Sequence, residues 1–518
     1  MNVDPGTATA LEEAPRRGHP KGLYVLFATE FWERFSYYGM RAIFVLFMTD
    51  KLLFDKAYAS NIYGSYTGLV YLTPLIGGYM ADRYWGNRKS IFVGGVLMAI
   101  GQFTLFMCAS MAADSGLSTT LLWTGLAFLI FGNGFFKPNI STMVGQLYPE
   151  GDNSKKDAAY TIFYMGINAG AFLAPLICGY LGEKVDFKWG FFAAGTGMVI
   201  SLIIFYFTKD KYIVSHTGKP LGTHANKLMD TSVSETGETG FSNTQLAVII
   251  GSIVAAWCIL HFALNVDIWG SAIYSMTLCL PLAILTDRSL TKVEKSRLSV
   301  IIIIMLFVIF FWMCFEQAGA SLTFFANEQT DRHVFGWEMP ASYFQSFNPI
   351  FIVILAPIFA TLWGRLGKKG IEPPAPMKQA MGLGFLALGF LFISFGTGNA
   401  AVQVSIMWLT GLYFLHTVGE LFLSPIGLSM VNKLTPGRFT SLMMGIWFMA
   451  IATGNKLAGT MSSLYPDPKS TGPKPVFLGI TIDNLHTYFM IFVALAGVAA
   501  IILFLLSFKL RKMMHGIK

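Results

Sequence analysis

The feature of this sequence that most constrains its fold is a series of apolar runs, each of about 20 residues or more. A helix of that length crosses the hydrocarbon core of a bilayer. It also pairs its own backbone N–H and C=O groups, to which lipid tails offer no hydrogen bonds. Six runs precede a polar stretch, two follow it, and six more complete the series. The runs lie near 22–48, 60–81, 90–112, 119–144, 158–182 and 189–208, then 244–264 and 268–286, and finally 298–326, 341–364, 377–396, 402–430, 438–464 and 485–508. The sequence therefore predicts an all-α polytopic membrane protein with fourteen spans.

The six-two-six order predicts two six-helix bundles with an inserted two-helix hairpin. The polar stretch at 209–243 is rich in Ser, Thr and Gly, which is typical of a flexible linker. The expected segments are an N-terminal tail (1–21), a first bundle (22–208), the linker (209–243), the hairpin (244–286), a second bundle (297–508) and a C-terminal tail (509–518). Only 13% of the residues are charged and 54% are hydrophobic, against about 25% charged in soluble domains.

The distribution of Lys and Arg predicts the orientation of the chain in the membrane. With the N-terminus inside and the spans alternating, 26 of the 37 Lys and Arg residues fall in inside segments and 7 in outside segments. This asymmetry places both termini in the cytoplasm. It also accounts for the net charge of +8 without a nucleic-acid partner. Four basic residues remain within spans: Arg34, Arg41, Lys137 and Lys456. We expect Lys456 to extend toward the outer face, near Asp467.

The first span carries an unusual group of charges in the sequence EFWERFSYYGMR (30–41). On a helix, Glu30, Glu33, Arg34, Tyr37 and Arg41 share one face. Each ionised group at the bilayer centre costs roughly 2.5–3.5 kcal/mol on insertion scales, so this face must contact protein or water. Ionisable groups in such a position indicate a transport pathway or a proton relay.

The two bundles read as a duplicated unit. Glu33 and Lys137 are 104 positions apart, and so are Glu316 and Glu420. Without the hairpin, these residues fall on the first, fourth, seventh and tenth helices. Lys137 and Glu420 should then face each other across a central cavity that is positive on one side and negative on the other. A zwitterionic ligand needs a cation for its anionic group and an anion for its cationic group, and such a cavity offers both. By the same symmetry, we expect Arg41 and Glu316 to pair across the halves as a gate.

Several motifs resemble known transporter patterns. The stretch GGYMADRYWGNRK (77–89) resembles the loop motif of the major facilitator superfamily, with Asp82, Arg83 and Arg88 at the cytoplasmic rim. The pattern ExxERFxYYG is the signature of the proton-dependent oligopeptide transporter family, and it is complete at 30–39. Further similar stretches are GNGFFKPNIS (132–141), FYMGINAGAF (163–172), FWMCFEQ (311–317), QSFNP (345–349) and ELFLSPIGLS (420–429). The resemblance extends from about residue 22 to 508, and the hairpin looks like the extra helix pair of bacterial members.

The resemblance implies a major facilitator fold and proton-coupled import of di- and tripeptides by alternating access across a bacterial inner membrane. Carried over by position, the residues of proton coupling are Glu30, Glu33, Arg34 and Lys137. The substrate-binding residues are Arg41, Tyr37, Tyr71, Lys137, Tyr164, Asn168, Trp312, Asn348, Glu420, Ser424 and Trp447. One departure is Gly64, which stands where several members carry a histidine, so more of the coupling rests on the carboxylates of the first helix.

Other readings stay open. A carrier of another anion such as nitrate is the main rival, as some plant relatives transport nitrate, but Glu420 favours a zwitterion. A membrane enzyme or pump is disfavoured, because the sequence has no P-loop and no His/Cys metal cluster. We expect no cofactor or metal, with the proton gradient as the energy source. His416 and His261 are interpreted as structural, and the five cysteines as small apolar side chains. Peptide preference, proton stoichiometry and a homo-oligomeric state are left open.

Overall fold

The computed structural model of the chain describes residues 18–113, 115–149, 152–215, 218–223, 243–287, 289–397, 403–467 and 472–517. Long helices dominate this part. They are α1 (Lys21–Leu46), α2 (Lys56–Leu72), α3 (Pro74–Met80), α4 (Gly86–Ala109), α5 (Gly116–Gln146), α6 (Asn153–Tyr180), α7 (Phe187–Tyr212), α8 (Asn243–Cys258), α9 (Ile268–Leu285), α10 (Lys292–Phe315), α11 (Ser321–Glu328), α12 (Phe347–Lys368), α13 (Ala375–Gly396), α14 (Ile406–Leu434), α15 (Thr440–Ser462) and α16 (Leu485–Met513). Residues 216–217 and 224–242 of the expected linker lie outside the described part.

Short polar residues mark where many of these helices begin. A side-chain oxygen at the N-cap accepts a hydrogen bond from a backbone N–H that the first turn leaves without a partner. Such caps are Asp55, Ser115, Asp152, Asp186, Asp267, Thr291, Ser405 and Asn484. Because each lies in the connection that precedes a span, the caps fix where these helices begin.

The first bundle contains α1 to α7. Its helices pack as α4 against α5 and α7, and as α1 against α6 and α7. The second span is interrupted at Thr73, where α2 ends and Pro74 starts α3, and a π-helical turn (Ala81–Trp85) follows. Gly86 then reverses the chain with φ +72°, a conformation that favours glycine.

Arg88 of the loop motif pairs with Asp210 at 2.5 Å and donates to the backbone carbonyl of Ile213 at 2.6 Å. These two contacts tie the end of α7 to the start of α4.

The second bundle contains α10 to α16, and its first span is interrupted. Helix α10 ends at Phe315, a 3₁₀ turn covers Glu316–Gly319, and α11 resumes at Ser321. Gln317 holds this break in place. Its side-chain amide nitrogen donates to the carbonyl of Ala458 at 3.1 Å, and its side-chain oxygen accepts from Ser462 at 2.7 Å. The sequence predicted one continuous run here, so this break is a feature that apolar periodicity did not show.

The inserted hairpin consists of α8, extended by a π-helical turn (Ile259–Ala263), and α9. Helix α8 packs mainly on α9, whereas α9 also packs against α2 of the first bundle and α15 of the second. Since α2 and α15 form the most extensive contact between the bundles, the hairpin lies against the joint of the two halves.

One membrane side, at which α1 ends, is here called the distal face; its described connections include 47–55, 181–186, 264–267, 328–346, 403–405, 463–467 and 472–484. Three two-stranded sheets lie in this layer: β1 (Thr330–Asp331) with β4 (Val404–Ser405), β2 (His333–Val334) with β3 (Trp337–Glu338), and β5 (Val476–Phe477) with β6 (Ile480–Thr481). Ion pairs cross between the halves here. Lys56 pairs with Glu328 at 2.6 Å and with Asp467 at 3.4 Å, and Lys184 pairs with Glu338 at 2.7 Å.

Eleven helical stretches of the described part are long and apolar enough to cross a membrane. One of them, Lys56–Ala109, contains two passes that Gly86 separates. Helices α1 and α15 are not among the eleven. Helix α1 carries Glu30, Glu33, Arg34 and Arg41, and helix α15 carries Asn455 and Lys456. With these two, the helices account for the predicted fourteen spans, and the predicted all-α fold of two six-helix bundles with an inserted hairpin is confirmed.

Candidate functional site

A cavity of about 320 Å³ lies between the two bundles. Its walls come from α1, α2, α5 and α6 on one side and from α10, α12, α14 and α15 on the other. Nine of the substrate-binding residues expected from the sequence lie in these walls: Arg41, Tyr71, Lys137, Tyr164, Asn168, Trp312, Asn348, Glu420 and Trp447. Glu316, expected as a gate residue, lies there as well. The structure therefore brings together residues that are spread over more than 400 positions of the chain.

Lys137 supplies a cation to the first-bundle wall. It lies on α5, directly before Pro138, and its Nζ atom stands 4.3 Å from the centroid of the Tyr71 ring. Within the described residues, no carboxylate lies within 4.0 Å of this ammonium group, although Glu33 and Glu30 are near enough to interact with it electrostatically. An ammonium over an aromatic face is stabilised but not neutralised. Lys137 therefore remains able to bind an anionic group of a ligand.

Glu420 supplies an anion to the opposite wall. It lies on α14, is 9% exposed, and accepts a hydrogen bond from the Asn348 side-chain amide at 2.8 Å. Asn348 also donates to Thr417 at 3.1 Å, which fixes the orientation of its amide. Among the residues that the structure describes, no Lys, Arg or His nitrogen lies within 4.0 Å of the Glu420 carboxylate. Besides the paired Arg41 and Glu316, the cavity wall thus carries a cation on one bundle and an anion on the other, and neither has an ionic partner among the described residues.

The carboxylates of α1 form a separate cluster behind the cavity wall. Arg34 Nε lies 2.7 Å from Glu30 and 2.6 Å from Glu33, and Asn133 of α5 donates to Glu33 at 3.2 Å. All three charged side chains are buried, and none of them lines the cavity. Two carboxylates and one guanidinium leave this cluster with one negative charge in excess when both acids are ionised. Binding one proton would remove that excess.

Arg41 and Glu316 join the bundles at the distal end of the cavity. The Arg41 guanidinium pairs with Glu316, and its Nε atom donates to the Tyr63 hydroxyl at 2.6 Å. The break after α10 directs Glu316 toward α1, since Glu316 is the first residue of the 3₁₀ turn. Gly319 in the same turn makes room for Tyr63, because a Cβ atom at this position would overlap the Tyr63 hydroxyl. The pairing expected from the sequence is present in this structure.

One expected residue stands elsewhere. Tyr37 does not line the cavity: its ring packs against the Arg34 guanidinium at 5.6 Å and against Tyr38 at 5.1 Å. Tyr38 takes the position in the wall instead. Side chains one residue apart on a helix point about 100° apart, so the motif YY could not by itself decide between them. The side chain of Ser424 lies outside the described residues.

The structure also adds cavity residues that the sequence analysis passed over, among them Phe315, Gln345 and Tyr413. His416 lines the cavity as well, with its ring 4.8 Å from that of Phe390, and its Nε2 atom has no hydrogen-bond partner among the described residues. The Trp312 indole nitrogen is likewise buried without a described partner. Whether a side chain reaches the cavity depends on its depth in the bundle and on the rotation of its helix. Short sequence motifs do not determine either.

The structure explains Gly64 and corrects the expectation for Lys456. A Cβ atom at Gly64 would stand 2.7 Å from the Cα atom of Gly459, so any side chain here would collide with the opposite bundle. Lys456 was expected to extend toward the outer face near Asp467; it does lie near the distal face, but the expected partner was wrong. Its ammonium group instead lies 2.8 Å from Asp267 of the hairpin and donates to Ser65 of α2 at 2.8 Å. The hairpin supplies a closer anion than the distal loop, where Asp467 pairs with Lys56.

Comparison with known proteins identifies the family of this chain. A sequence profile of the POT family matches residues 88–477. The peptide transporter YePEPT of Yersinia enterocolitica is 34% identical over 85% of this chain and 87% of its own length. A di-/tripeptide transporter of Lactococcus lactis is 33% identical over 86% of this chain and 90% of its own length. A crystal structure of a peptide transporter POT in complex with sulfate is similar with a TM-score of 0.79 and 32% identity, and covers 97% of both chains. The chain belongs to the POT family of membrane transporters, as its first-helix motif indicated.

Proposed function

We propose that this protein is a proton-coupled symporter that imports di- and tripeptides across a bacterial inner membrane, with both termini in the cytoplasm. The observation that carries the proposal is a pair of cavity charges with no ionic partner among the described residues, Lys137 on one bundle and Glu420 on the other. A peptide zwitterion neutralises both at once. A lone anion such as nitrate would satisfy Lys137 and leave Glu420 as a repelling neighbour. The named relatives, which are peptide transporters, support the same substrate class.

Side-chain tolerance follows from the rest of the wall. A peptide transporter must accept many side chains, so its walls should be apolar or adaptable and should leave room for water. Trp312, Trp447 and Phe448 supply apolar surface, while Tyr164 and Gln345 supply polar atoms that can bond through water. The charged ends of the cavity then fix the backbone of the peptide, and the middle of the cavity leaves its side chains free.

Proton coupling is assigned to the cluster behind the wall. Glu33 is fully buried and shares Arg34 with Glu30, so one proton can balance the charge of the cluster. Lys137 lies close enough to Glu33 to interact with it electrostatically. When a peptide carboxylate binds Lys137, the ammonium group stabilises the Glu33 carboxylate less, and Glu33 binds a proton more readily. Substrate and proton therefore favour each other, and no cofactor is needed.

Alternating access supplies the transport step. The two bundles are related units that meet along α2 and α15, and Arg41 with Glu316 joins them at the distal end of the cavity. If the bundles rock about the cavity, this pair breaks when the distal face opens and forms again when it closes. The same two residues thereby form the gate.

The proposal is tested with purified protein in liposomes that contain a pH-sensitive dye. A dipeptide added outside should acidify the interior, and the rate should increase with an inward proton gradient. Nitrate at the same concentration serves as the matched control and should produce no acidification. Acidification by nitrate and not by dipeptides would contradict the substrate assignment, and dipeptide uptake without acidification would contradict the coupling.

A further inference from the structure

The hairpin reaches into the joint between the bundles through one ion pair. Asp267 lies in the hairpin turn, directly before α9, and its carboxylate is 2.8 Å from Lys456 Nζ. Lys456 belongs to α15 of the second bundle, and the same Nζ atom donates to Ser65 on α2 of the first bundle at 2.8 Å. Lys456 is six residues, or about 9 Å, from the distal end of α15. A single ammonium group therefore links the hairpin, the first bundle and the second bundle near the distal face.

The charge of Lys456 makes this link more than a packing contact. Its side chain is 1% exposed, and a buried ammonium group without a counter-ion is strongly destabilising. Ser65 offers a dipole but no charge, and Asp267 is the one carboxylate within 4.0 Å of Lys456 among the described residues. Partial burial raises the pKa of Asp267, but the hydrogen bond and charge of Lys456 outweigh this effect and hold the pKa below its usual value. The hairpin thus supplies the anion that keeps a lysine at the joint.

The hairpin is attached more firmly to the second bundle than to the first. The Thr277 hydroxyl of α9 bonds to the Thr453 hydroxyl of α15 at 2.8 Å, and Gly270 lets the hairpin backbone approach the Lys456 side chain. Toward the first bundle, α9 packs on α2 through Ile273 near Gly68. When the distal face opens, α9 and α15 should therefore move together, and the Lys456–Ser65 hydrogen bond should break.

We propose that the hairpin is a clamp on the distal face, and that Asp267 is a positioning residue which holds the Lys456 ammonium group against Ser65. The clamp favours the conformation in which α2 and α15 are in contact near this face. It acts in parallel with Arg41 and Glu316 but from the lipid side of the joint. This inference rests on the alternating access of the proposed function.

The test measures the distance between the bundles directly. Spin labels are placed at Tyr58→Cys on α2 and Met407→Cys on α14, two exposed helical positions near the distal face, in a variant whose five cysteines are replaced by alanine. Asp267→Asn should increase the ratio of long to short distances about tenfold, the effect of losing one charge-assisted hydrogen bond. Ser65→Ala should shift the ratio in the same direction without leaving a charge unpaired. Asp483→Asn is the matched control, since Asp483 pairs with Lys474 within its own loop at 2.5 Å.

The outcomes separate the clamp from a stabilising ion pair. If Asp267→Asn lowers the melting temperature and leaves the distance ratio of the wild type unchanged, the clamp is refuted. Should Asp267→Asn fail to fold, Ser65→Ala decides alone, and an unchanged ratio refutes the clamp. A wild type with a single distance population that neither dipeptide nor low pH alters would instead contradict alternating access, and with it the proposed function.

Discussion

Replacing Glu420 tests the charge arrangement of the cavity most directly. In Glu420→Ala the peptide amine loses its anion, while Lys137 still binds the carboxylate. Glu420 is 9% exposed, so its partner ammonium would be left largely desolvated. Removing one member of such a pair costs about 2–5 kcal/mol. With 1.4 kcal/mol per factor of ten, apparent affinity for a free dipeptide should fall by about 30-fold to several thousandfold.

The assay is competition by unlabelled peptides for the uptake of a labelled dipeptide. Each free dipeptide is compared with its N-acetylated form, in the wild type and in the variant. The acetylated form lacks the ammonium group, so it should bind weakly to the wild type and lose little more in Glu420→Ala. The two changes together form a double-mutant cycle in which one partner is the ligand.

The control for the fold is Glu420→Gln, which keeps the shape of the side chain and can still accept from Asn348. It should retain the wild-type melting temperature and show the same selective loss for free peptides. If free and acetylated peptides lose equal affinity in both variants, Glu420 acts on the fold or on the transport cycle, and its assignment to the peptide amine is refuted.

Three further outcomes follow from the structure. Glu33→Gln should abolish uptake driven by a proton gradient while peptide-for-peptide exchange persists, because its buried cluster can no longer bind the proton; concentrative uptake at the wild-type rate would remove Glu33 from coupling. Exchanging Arg41 and Glu316 should restore part of the uptake that each neutral substitution abolishes, and a double variant no better than the single ones would contradict the gate. Gly64→Ala should lower stability by roughly 1–3 kcal/mol, since its Cβ atom would stand 2.7 Å from the opposite backbone, and an unchanged melting temperature in detergent would show that the joint relaxes.

The sequence predicted the number of spans and their division into two bundles and a hairpin, because length and apolarity alone determine which segments cross a bilayer. It also predicted the pairing of Arg41 with Glu316, because the repeat places equivalent helices at equivalent depths. The charged residues within the spans were informative for a second reason. A buried ion needs a partner of opposite charge, and the spans contain few such partners.

The sequence could not predict how each helix is rotated about its axis, or where the backbone departs from a regular helix. The choice between Tyr37 and Tyr38 depends on which way α1 turns its face, and both residues suit either position. The break at Glu316–Gly319 has no proline to mark it and is held by hydrogen bonds of Gln317 to residues more than 140 positions away. The partner of Lys456 was mistaken because the hairpin could be recognised as inserted, but its docking position could not be read from composition.

The internal pairing of charges on α1 has a consequence for how the protein is made. Helix α1 leaves the ribosome first, and Arg41 meets Glu316 only after another 275 residues have been synthesised. At 5–20 residues per second that interval lasts roughly 15–55 s. During this time Arg34 can pair with both Glu30 and Glu33 within the helix, so the nascent α1 already carries two of its three ion pairs. Arg41 lies five residues before the end of α1 and can reach the headgroups until the second bundle arrives. The order of the charges along α1 therefore leaves few of them without a partner or access to water while the second bundle is still being made.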